Sequence, residues 1–174
     1  MTTATEQIQG TYKLDPVHSS ASFAVKHMVV STFRGRFEHF DATLTDGKLV
    51  GTVDVSSIVV KDENLAAHLQ SPEFFDAERH PELRFESNDI RRDGDEVVVD
   101  GELTIKGITK PTEARGTIEG PVATFGDVNK VGLTLEAIID RTEFGLNWNA
   151  PLPKGGFALA NDVKLIVELE LAEA

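Results

Sequence analysis

The sequence has no cysteine among its 174 residues. Disulfides, thiolate zinc sites, iron–sulfur clusters and cysteine nucleophiles are therefore excluded. The chain also lacks the GxSxG, Walker, GxGxxG and HExxH motifs, so none of these nucleophile, phosphate, dinucleotide or zinc-protease signatures is present. These absences favour a protein that is not an enzyme and that requires no cofactor.

Basic residues are scarce. Lys and Arg number 17 against 29 Asp and Glu, which gives a net charge of -12. Such a balance argues against nucleic acid as a partner, and against electrostatic docking on anionic lipid. No stretch approaches the ~20 apolar residues of a membrane span, and the first residues do not resemble a signal peptide. We therefore expect no stable membrane insertion and a cytoplasmic location.

Polar aromatic residues are almost missing, since one Trp and one Tyr stand beside ten Phe. An aromatic content that is nearly all Phe suits an apolar interior more than a hydrogen-bonded one. The length is ample for one domain with a core, or with a core that contains a cavity. We predict a flexible N-terminal tail over residues 1–10 and a single domain over residues 11–174.

What the chain does contain is alternation with a period of two. In the stretch 14–40, Ala21, Phe23, Val25 and His27 fall on one face of a strand, and the intervening residues fall on the other. The pattern recurs around 49–60, 83–92, 96–105, 108–118, 131–139 and 163–171. One exception is residues 62–71, where capping and apolar spacing predict a short helix.

Eight or nine long antiparallel strands, each with one apolar face, favour a closed barrel over an open sandwich, because closure removes exposed edges. An eight-stranded barrel can hold one small ligand. Phe37 and Phe40 lie three residues apart on a strand predicted to run on to Leu44. Either one ring faces outward, or a bulge lies between them.

Polar candidates within this pattern are few. His18 and His27 are nine residues apart, which places them on opposite faces of an unbroken strand, so no metal site is predicted. Arg141 stands at the end of an apolar strand beside a loop rich in Gly and Pro. It could form a salt bridge at the barrel rim, or it could hold an anionic or carbonyl group.

Five segments resemble the YceI-like family, lipocalin-like proteins associated with polyisoprenoid binding. They are LDPVHSSASFAVKH at 14–27, FRGRFEHFDATL at 33–44, AHLQSPEFFDAERHPELRFES at 67–87, GELTIKGITKP at 101–111 and IDRTEFGL at 139–146. They occur in the family order and span about residues 12–171. The resemblance implies an antiparallel eight-stranded lipocalin-like barrel with a long apolar pocket. With the helix predicted from the residues, the fold class is all-β with one short helical insertion.

We therefore predict binding, storage or transport of a long apolar ligand, a polyisoprenoid or an isoprenoid quinone. Burial of its tail needs few polar contacts, because each CH₂ removed from water is worth ~0.8 kcal/mol. The predicted wall comprises Phe23, Val25, Phe37, Val53, Val97, Val99, Leu103, Leu133, Leu135 and Leu165. The predicted mouth comprises Phe74, Phe75 and Phe144, and the polar head-group candidates are Arg141, His27 and His18.

Two alternatives stay open at this point. The barrel could be filled by its own side chains and serve as an interaction or stress-response protein. Less strongly, the chain could be an enzyme that acts on an isoprenoid substrate, with Arg141 polarising a carbonyl. A homodimer is an assembly that the unpaired ends of long strands could support.

Overall fold

The computed structural model describes residues 8–174. This range contains eleven β-strands and one α-helix. The elements in chain order are β1 Thr11–Leu14, β2 Ser20–His27, β3 Ser31–Phe37, β4 Phe40–Thr45, β5 Lys48–Asp54, β6 Ile58–Val59, α1 Glu63–Gln70, β7 Glu82–Asp93, β8 Glu96–Ile105, β9 Ile108–Ala123, β10 Asn129–Asp140 and β11 Leu159–Glu173. Short 3₁₀ turns follow β1, β5, β9 and β10.

The strands form one antiparallel sheet that closes on itself. Its order is β1-β4-β5-β7-β8-β9-β10-β11, and β1 pairs with β11 to complete a ring of eight. Beyond that contact β11 also pairs with β2, and β3 and β6 continue from β2. The predicted eight-stranded antiparallel barrel is confirmed.

Strand β8 shows why the alternation predicts the fold. Val97, Val99, Leu103 and Ile105 are buried, whereas Glu102 between them is exposed. Successive side chains of a strand point to opposite faces, so one face of β8 lines the barrel interior and the other meets water. The same inward row recurs on β10, from Val131 to Ile139.

The prediction of one strand through Phe37 and Phe40 is wrong. Strand β3 ends at Phe37, and β4 begins at Phe40 beside different neighbours, β1 and β5. Between them the Glu38 N–H donates to the Ser57 carbonyl at 3.1 Å, and the His39 N–H donates to Ser57 Oγ at 3.0 Å. The bend resets the alternation, so that Phe37 is buried and Phe40 is half-buried on the same interior side.

The predicted helix is present as α1. Asp62 caps it, because one Asp62 carboxylate oxygen accepts from the Asn64 N–H at 2.8 Å and from the Leu65 N–H at 3.1 Å. The helix turns Leu65 and Leu69 towards the barrel, and the segment that follows buries Phe74 and half-buries Phe75. The α1 segment thus closes over one end of the barrel.

The two ends of the barrel differ in packing. At one end, Tyr12, Leu44, Val97, Val131 and Leu171 belong to a tightly buried cluster. We call this the packed end. The other end carries α1, the β2–β3 hairpin and the long connection between β10 and β11, and we call it the hollow end.

The predicted flexible tail falls partly outside the described residues, since residues 1–7 are not described. Residue Ile8 packs against the cluster of the packed end. The Gly10 N–H donates to Asp46 Oδ1 at 2.8 Å, and the Asp46 N–H donates to the Gly10 carbonyl at 2.9 Å. Residues 8–10 are therefore held against the β4–β5 turn.

The 3₁₀ turn between β1 and β2 carries an exposed ionic cluster. His18 Nδ1 lies 2.9 Å from Asp15 Oδ2 and 3.6 Å from Glu170 Oε2, and Lys130 Nζ lies 3.0 Å from the same Glu170 oxygen. The hydrogen bond with His18 lowers the pKa of Asp15 to about 2, and the hydrogen bond with Asp15 raises the pKa of His18. The cluster links β1 and β2 to β10 and β11.

We expect His18→Gln to lower stability in mildly acidic solution and to have little effect in alkaline solution. A His whose pKa is raised on folding stabilises below its unfolded pKa of ~6.5, and that contribution is lost as pH rises through the folded value. The lowered pKa of Asp15 stabilises the fold at every pH above its ordinary value of 3.8, and this contribution is lost only as pH falls towards about 2. It is therefore fully present in both mildly acidic and alkaline solution. Urea midpoints at about pH 5.5 and about pH 9 measure the change in stability.

The control is His39→Gln, on an exposed residue outside the ion pairs found in residues 8–174. An equal effect of His18→Gln at both pH values would contradict the prediction.

Candidate functional site

The hollow end encloses a cavity of about 470 Å³. This is the size of the sites in which proteins bind small molecules, ~300–1,000 Å³. Its wall is made almost entirely of apolar side chains from β2, β3, α1, the segment after α1, and the connection between β10 and β11. A barrel with this internal volume does not fit the alternative in which its own side chains fill it.

Phenylalanine rings form one wall of this cavity, which is the larger of two in the barrel. The ring centroid of Phe23 lies 5.9 Å from that of Phe33 and 5.8 Å from that of Phe37, and Phe37 lies 6.2 Å from Phe75. Gly35, opposite Phe23 on β3, makes room for this packing, since a Cβ there would lie 2.4 Å from Phe23 Cζ. A side chain at Gly35 would push the Phe23 ring out of its place.

A second aromatic group lies where α1 meets the long connection. The ring of His68 contacts Phe74 and Trp148 edge-on, at centroid distances of 4.9 and 5.2 Å, and Phe74 and Trp148 are 5.4 Å apart. His68 Nε2 lies 2.6 Å from Glu73 Oε2, which fixes the imidazole. The three rings line the cavity and pack α1, with the segment that follows it, against the connection between β10 and β11.

Arg141 is the buried cation of the site, with only 4% of its surface exposed. Its Nε donates to the Ala160 carbonyl at 2.9 Å, and its Nη1 donates to the carbonyls of Leu146 at 2.5 Å and Trp148 at 2.9 Å. Burial lowers the pKa of Arg141, and the Asp140 carboxylate opposes that effect. The side chain thereby fastens both ends of the 146–160 connection.

The expectation of a rim salt bridge at Arg141 is wrong. The neighbouring Asp140 carboxylate instead accepts from the N–H and the hydroxyl of Thr142, at 2.9 and 2.6 Å, and caps the 3₁₀ turn. Arg141 Nη2 is buried and has no hydrogen-bond partner within residues 8–174. A buried donor without a partner is costly, and a ligand acceptor would satisfy it.

The cavity reaches the surface at the β2–β3 hairpin. The exposed residues of its lining are His27, Met28, Ser31 and Thr32, and all four belong to this hairpin. Across the opening, the Ala158 carbonyl accepts from the Met28 N–H at 2.7 Å. The hairpin and the end of the 146–158 connection therefore border the portal.

A smaller cavity of about 150 Å³ lies deeper in the barrel. Its wall shares Phe37, Leu83 and Leu165 with the larger cavity. These three side chains separate the two spaces, and we call them the partition. Together the cavities extend from the portal towards the packed end.

The structure distributes the predicted site residues over three places. Those on the larger cavity are Phe23, Val25, His27, Phe37, Phe74, Phe75, Arg141 and Leu165. Those on the smaller cavity are Phe37, Val53, Leu103, Leu135 and Leu165. Those on neither are Val97, Val99 and Leu133, which belong to the cluster of the packed end, and Phe144, which is buried in the turn after β10.

The head-group candidate His18 also lies elsewhere, in the exposed ionic cluster, and lines neither cavity. Conversely, sequence reasoning missed Leu65, Leu69 and Trp148 as lining residues. The i, i+4 spacing of the two leucines was a usable signal, because it marks the buried face of α1. Nothing around Trp148 marked it, since it lies in a connection without periodicity.

Comparison with known proteins agrees with this architecture. The model of the YceI-like domain matches residues 12–171. The chain belongs to the YceI-like family. A UPF0312 protein of Staphylococcus aureus strain N315 is 32% identical over 173 residues, which cover 92% of this chain and 96% of that protein.

Solved structures share the fold of this YceI-like chain. The crystal structure of BcnA from Burkholderia cenocepacia superposes with a TM-score of 0.77 at 24% identity, over 90% of this chain and 98% of that one. A polyisoprenoid binding domain from Saccharophagus degradans, implicated in plant cell wall breakdown, superposes with a TM-score of 0.71 at 12% identity, over 94% and 98%. Among residues 8–174, no helix has the length and apolar character needed to cross a bilayer.

Proposed function

We propose that this protein binds a long apolar ligand, a polyisoprenoid or an isoprenoid quinone, in its two cavities and stores or carries it. The observation that carries the proposal is the nearly all-apolar cavity of about 470 Å³, which opens at one hairpin and borders a second cavity. An apolar tail gains ~0.8 kcal/mol for each CH₂ withdrawn from water, so this wall suffices for affinity without polar contacts. The polyisoprenoid binding domain that shares the fold supports the same ligand class.

The polar end of the ligand belongs near Arg141. Of the three guanidinium nitrogens, Nε and Nη1 are occupied by backbone carbonyls, and Nη2 is the donor left over. A quinone or ester carbonyl is an acceptor that such a buried donor would satisfy. His27, exposed at the portal and part of the same lining, is the second head-group candidate. The tail would then run past Phe23 towards the partition.

Binding is best tested through the single tryptophan. Trp148 lines the larger cavity, and the chain has no other tryptophan, so its fluorescence reports occupancy of that cavity. We expect a short-chain isoprenoid quinone to quench it saturably at one molecule per protein. The same quinone head group without a tail should quench weakly, because it forgoes burial of apolar surface. Quenching that does not saturate, or that is equal for both compounds, would contradict the proposal.

The natural ligand can be identified by native mass spectrometry of the protein purified from its own host, followed by analysis of its organic extract. A stoichiometric adduct that extracts as an isoprenoid is expected.

No cofactor is required for this function, and no catalytic step is assigned to any residue. The cytoplasmic location and the homodimer stay predictions, which fractionation and sedimentation would test.

A further inference from the structure

The tip of the β2–β3 hairpin exposes apolar side chains at the portal. Val29 is 68% exposed and Val30 is 84% exposed, and Met28 beside them lines the cavity. Phe157, 58% exposed, adjoins Ala158, whose carbonyl accepts from the Met28 N–H. We call Met28, Val29, Val30 and Phe157 the portal rim. An apolar cluster at the opening of an apolar cavity is a candidate contact surface.

The backbone of this tip is unfavourable for the residues that occupy it. Met28 and Val29 have φ of 53° and 68°, in the left-handed region. Gly and Asn are preferred at such hairpin positions, and a β-branched residue there is an outlier. Valine at position 29 therefore costs free energy in the isolated protein. An apolar side chain occupies the position despite that cost, which points to a use for it.

The two chain segments that border the portal are basic, although the protein as a whole is acidic. The net charge is -12, yet residues 16–37 contain no Asp or Glu and carry Lys26, Arg34 and Arg36. The segment 145–160, on the other side of the portal, also lacks acidic residues and carries Lys154. Of these four cations, Arg36 pairs with Glu38 at 3.6 Å, whereas Lys26, Arg34 and Lys154 take part in no ion pair found in residues 8–174.

The cations lie on the outer wall just above the rim. Arg34 pairs with Ala24 across β2 and β3, and Lys164 on β11 pairs with the same Ala24 from the other side. Lys26, two residues along β2, shares that outer face. Lys26 lies three residues before Val29, close to the end of β2. Arg34 lies four residues after Val30, which is about 13 Å along the strand at ~3.3 Å per residue. Apolar side chains at a tip with cations behind them are the arrangement of an interfacial membrane anchor.

We propose that the portal rim docks the barrel, hollow end first, on the surface of an anionic bilayer. Val29, Val30 and Phe157 would enter the boundary between head groups and acyl chains, while Lys26, Arg34 and Lys154 would meet anionic head groups. The two segments that border the portal contain no acidic residue, so the net charge of the protein does not prevent this local contact. Docking places the portal against the phase in which long isoprenoids reside, and this link to ligand transfer rests on the proposed function.

The test is co-sedimentation of the ligand-free protein with vesicles that contain no isoprenoid. We expect binding to vesicles of phosphatidylcholine with phosphatidylglycerol, and weaker binding to phosphatidylcholine alone or at about 0.5 M salt, where charges are screened. The double variant Val29→Gly/Val30→Ser should bind at least about tenfold more weakly. Glycine suits the positive φ at position 29, so this variant should fold at least as well as the wild type.

A matched control comes from the packed end. Phe125 is 100% exposed and Val122 is 56% exposed at the β9–β10 turn, which lies at the other end of the barrel. The double variant Phe125→Ser/Val122→Ser should bind vesicles as the wild type does. Equal losses in both double variants, no loss in the portal variant, or no vesicle binding by the wild type would each overturn the proposal. In the last case a protein partner for the rim becomes the better explanation.

Two separate experiments distinguish a failure of docking from a failure of ligand binding. Sedimentation with isoprenoid-free vesicles reads docking alone, and quenching of Trp148 by a quinone added from detergent reads ligand binding alone. The portal variant should keep the quinone affinity of the wild type and should extract quinone from anionic vesicles more slowly. An unchanged extraction rate would show that transfer does not pass through the rim.

Discussion

Arg141→Met is expected to lower the free energy of unfolding by about 3 kcal/mol. The substitution removes the donors of three hydrogen bonds and leaves the carbonyls of Ala160, Leu146 and Trp148 without them. Each buried group without a partner costs ~1–3 kcal/mol, and removal of a desolvated charge offsets part of the sum. Urea unfolding followed by circular dichroism measures the change, with the slope of the transition expected to stay near that of the wild type.

Arg84→Met is the matched control. Arg84 is exposed on β7 and pairs with the exposed Glu86 at 2.6 Å. Surface pairs of this kind contribute ~0–1 kcal/mol, so the control should unfold close to the wild type. Arg141→Lys should recover only part of the loss, because one ammonium cannot reproduce the planar fork of donors. Equal stabilities of the Arg141 and Arg84 variants would show that the guanidinium does not hold the connection.

Val25→Phe is expected to weaken binding of an isoprenoid quinone by at least about tenfold while leaving the fold stable. The added ring would occupy part of the cavity of about 470 Å³ that Val25 lines, and so displace several methylene groups of a bound tail, each worth ~0.8 kcal/mol. Space for the ring already exists, so the usual cost of overpacking should be small. The titration of Trp148 fluorescence measures the affinity.

The same change at Val99 supplies the contrast. Val99 is fully buried at the packed end and lines neither cavity. A phenylalanine there should cost about 1–3 kcal/mol of stability through overpacking, and quinone affinity should stay close to wild type wherever the protein is folded. If Val99→Phe reduced binding as strongly as Val25→Phe, the assignment of the cavity to the hollow end would be wrong. A change at Val99 thus tests the fold and not the ligand wall.

This contrast also marks how far the sequence could predict the site. Val25 and Val99 occupy equivalent places in the alternation, and both were predicted to face inward, which the structure confirms. Alternation reports the face of a sheet and carries no information on depth along the barrel. Depth depends on strand register and on what covers each end, which are properties of the closed sheet.

Residues outside the strands were harder to place for a related reason. The stretch after β10 has no period, so the role of Trp148 depends on contacts with α1 that lie about eighty residues away in the chain. Arg141 was recognised as a residue of interest from its place at the end of an apolar row. Its actual partners are backbone carbonyls, and no pattern of side chains in a sequence reveals those.

The partition of Phe37, Leu83 and Leu165 has a consequence for the choice of ligand. A tail that ends within the larger cavity leaves Phe37 packed between Phe23 and Phe75, whereas a longer tail must move that ring before it reaches the smaller cavity. The cost of this movement falls once, at one particular chain length, and not equally on every added isoprene unit. We therefore expect the binding free energy to change evenly with tail length except at one step, where the tail becomes long enough to reach the partition.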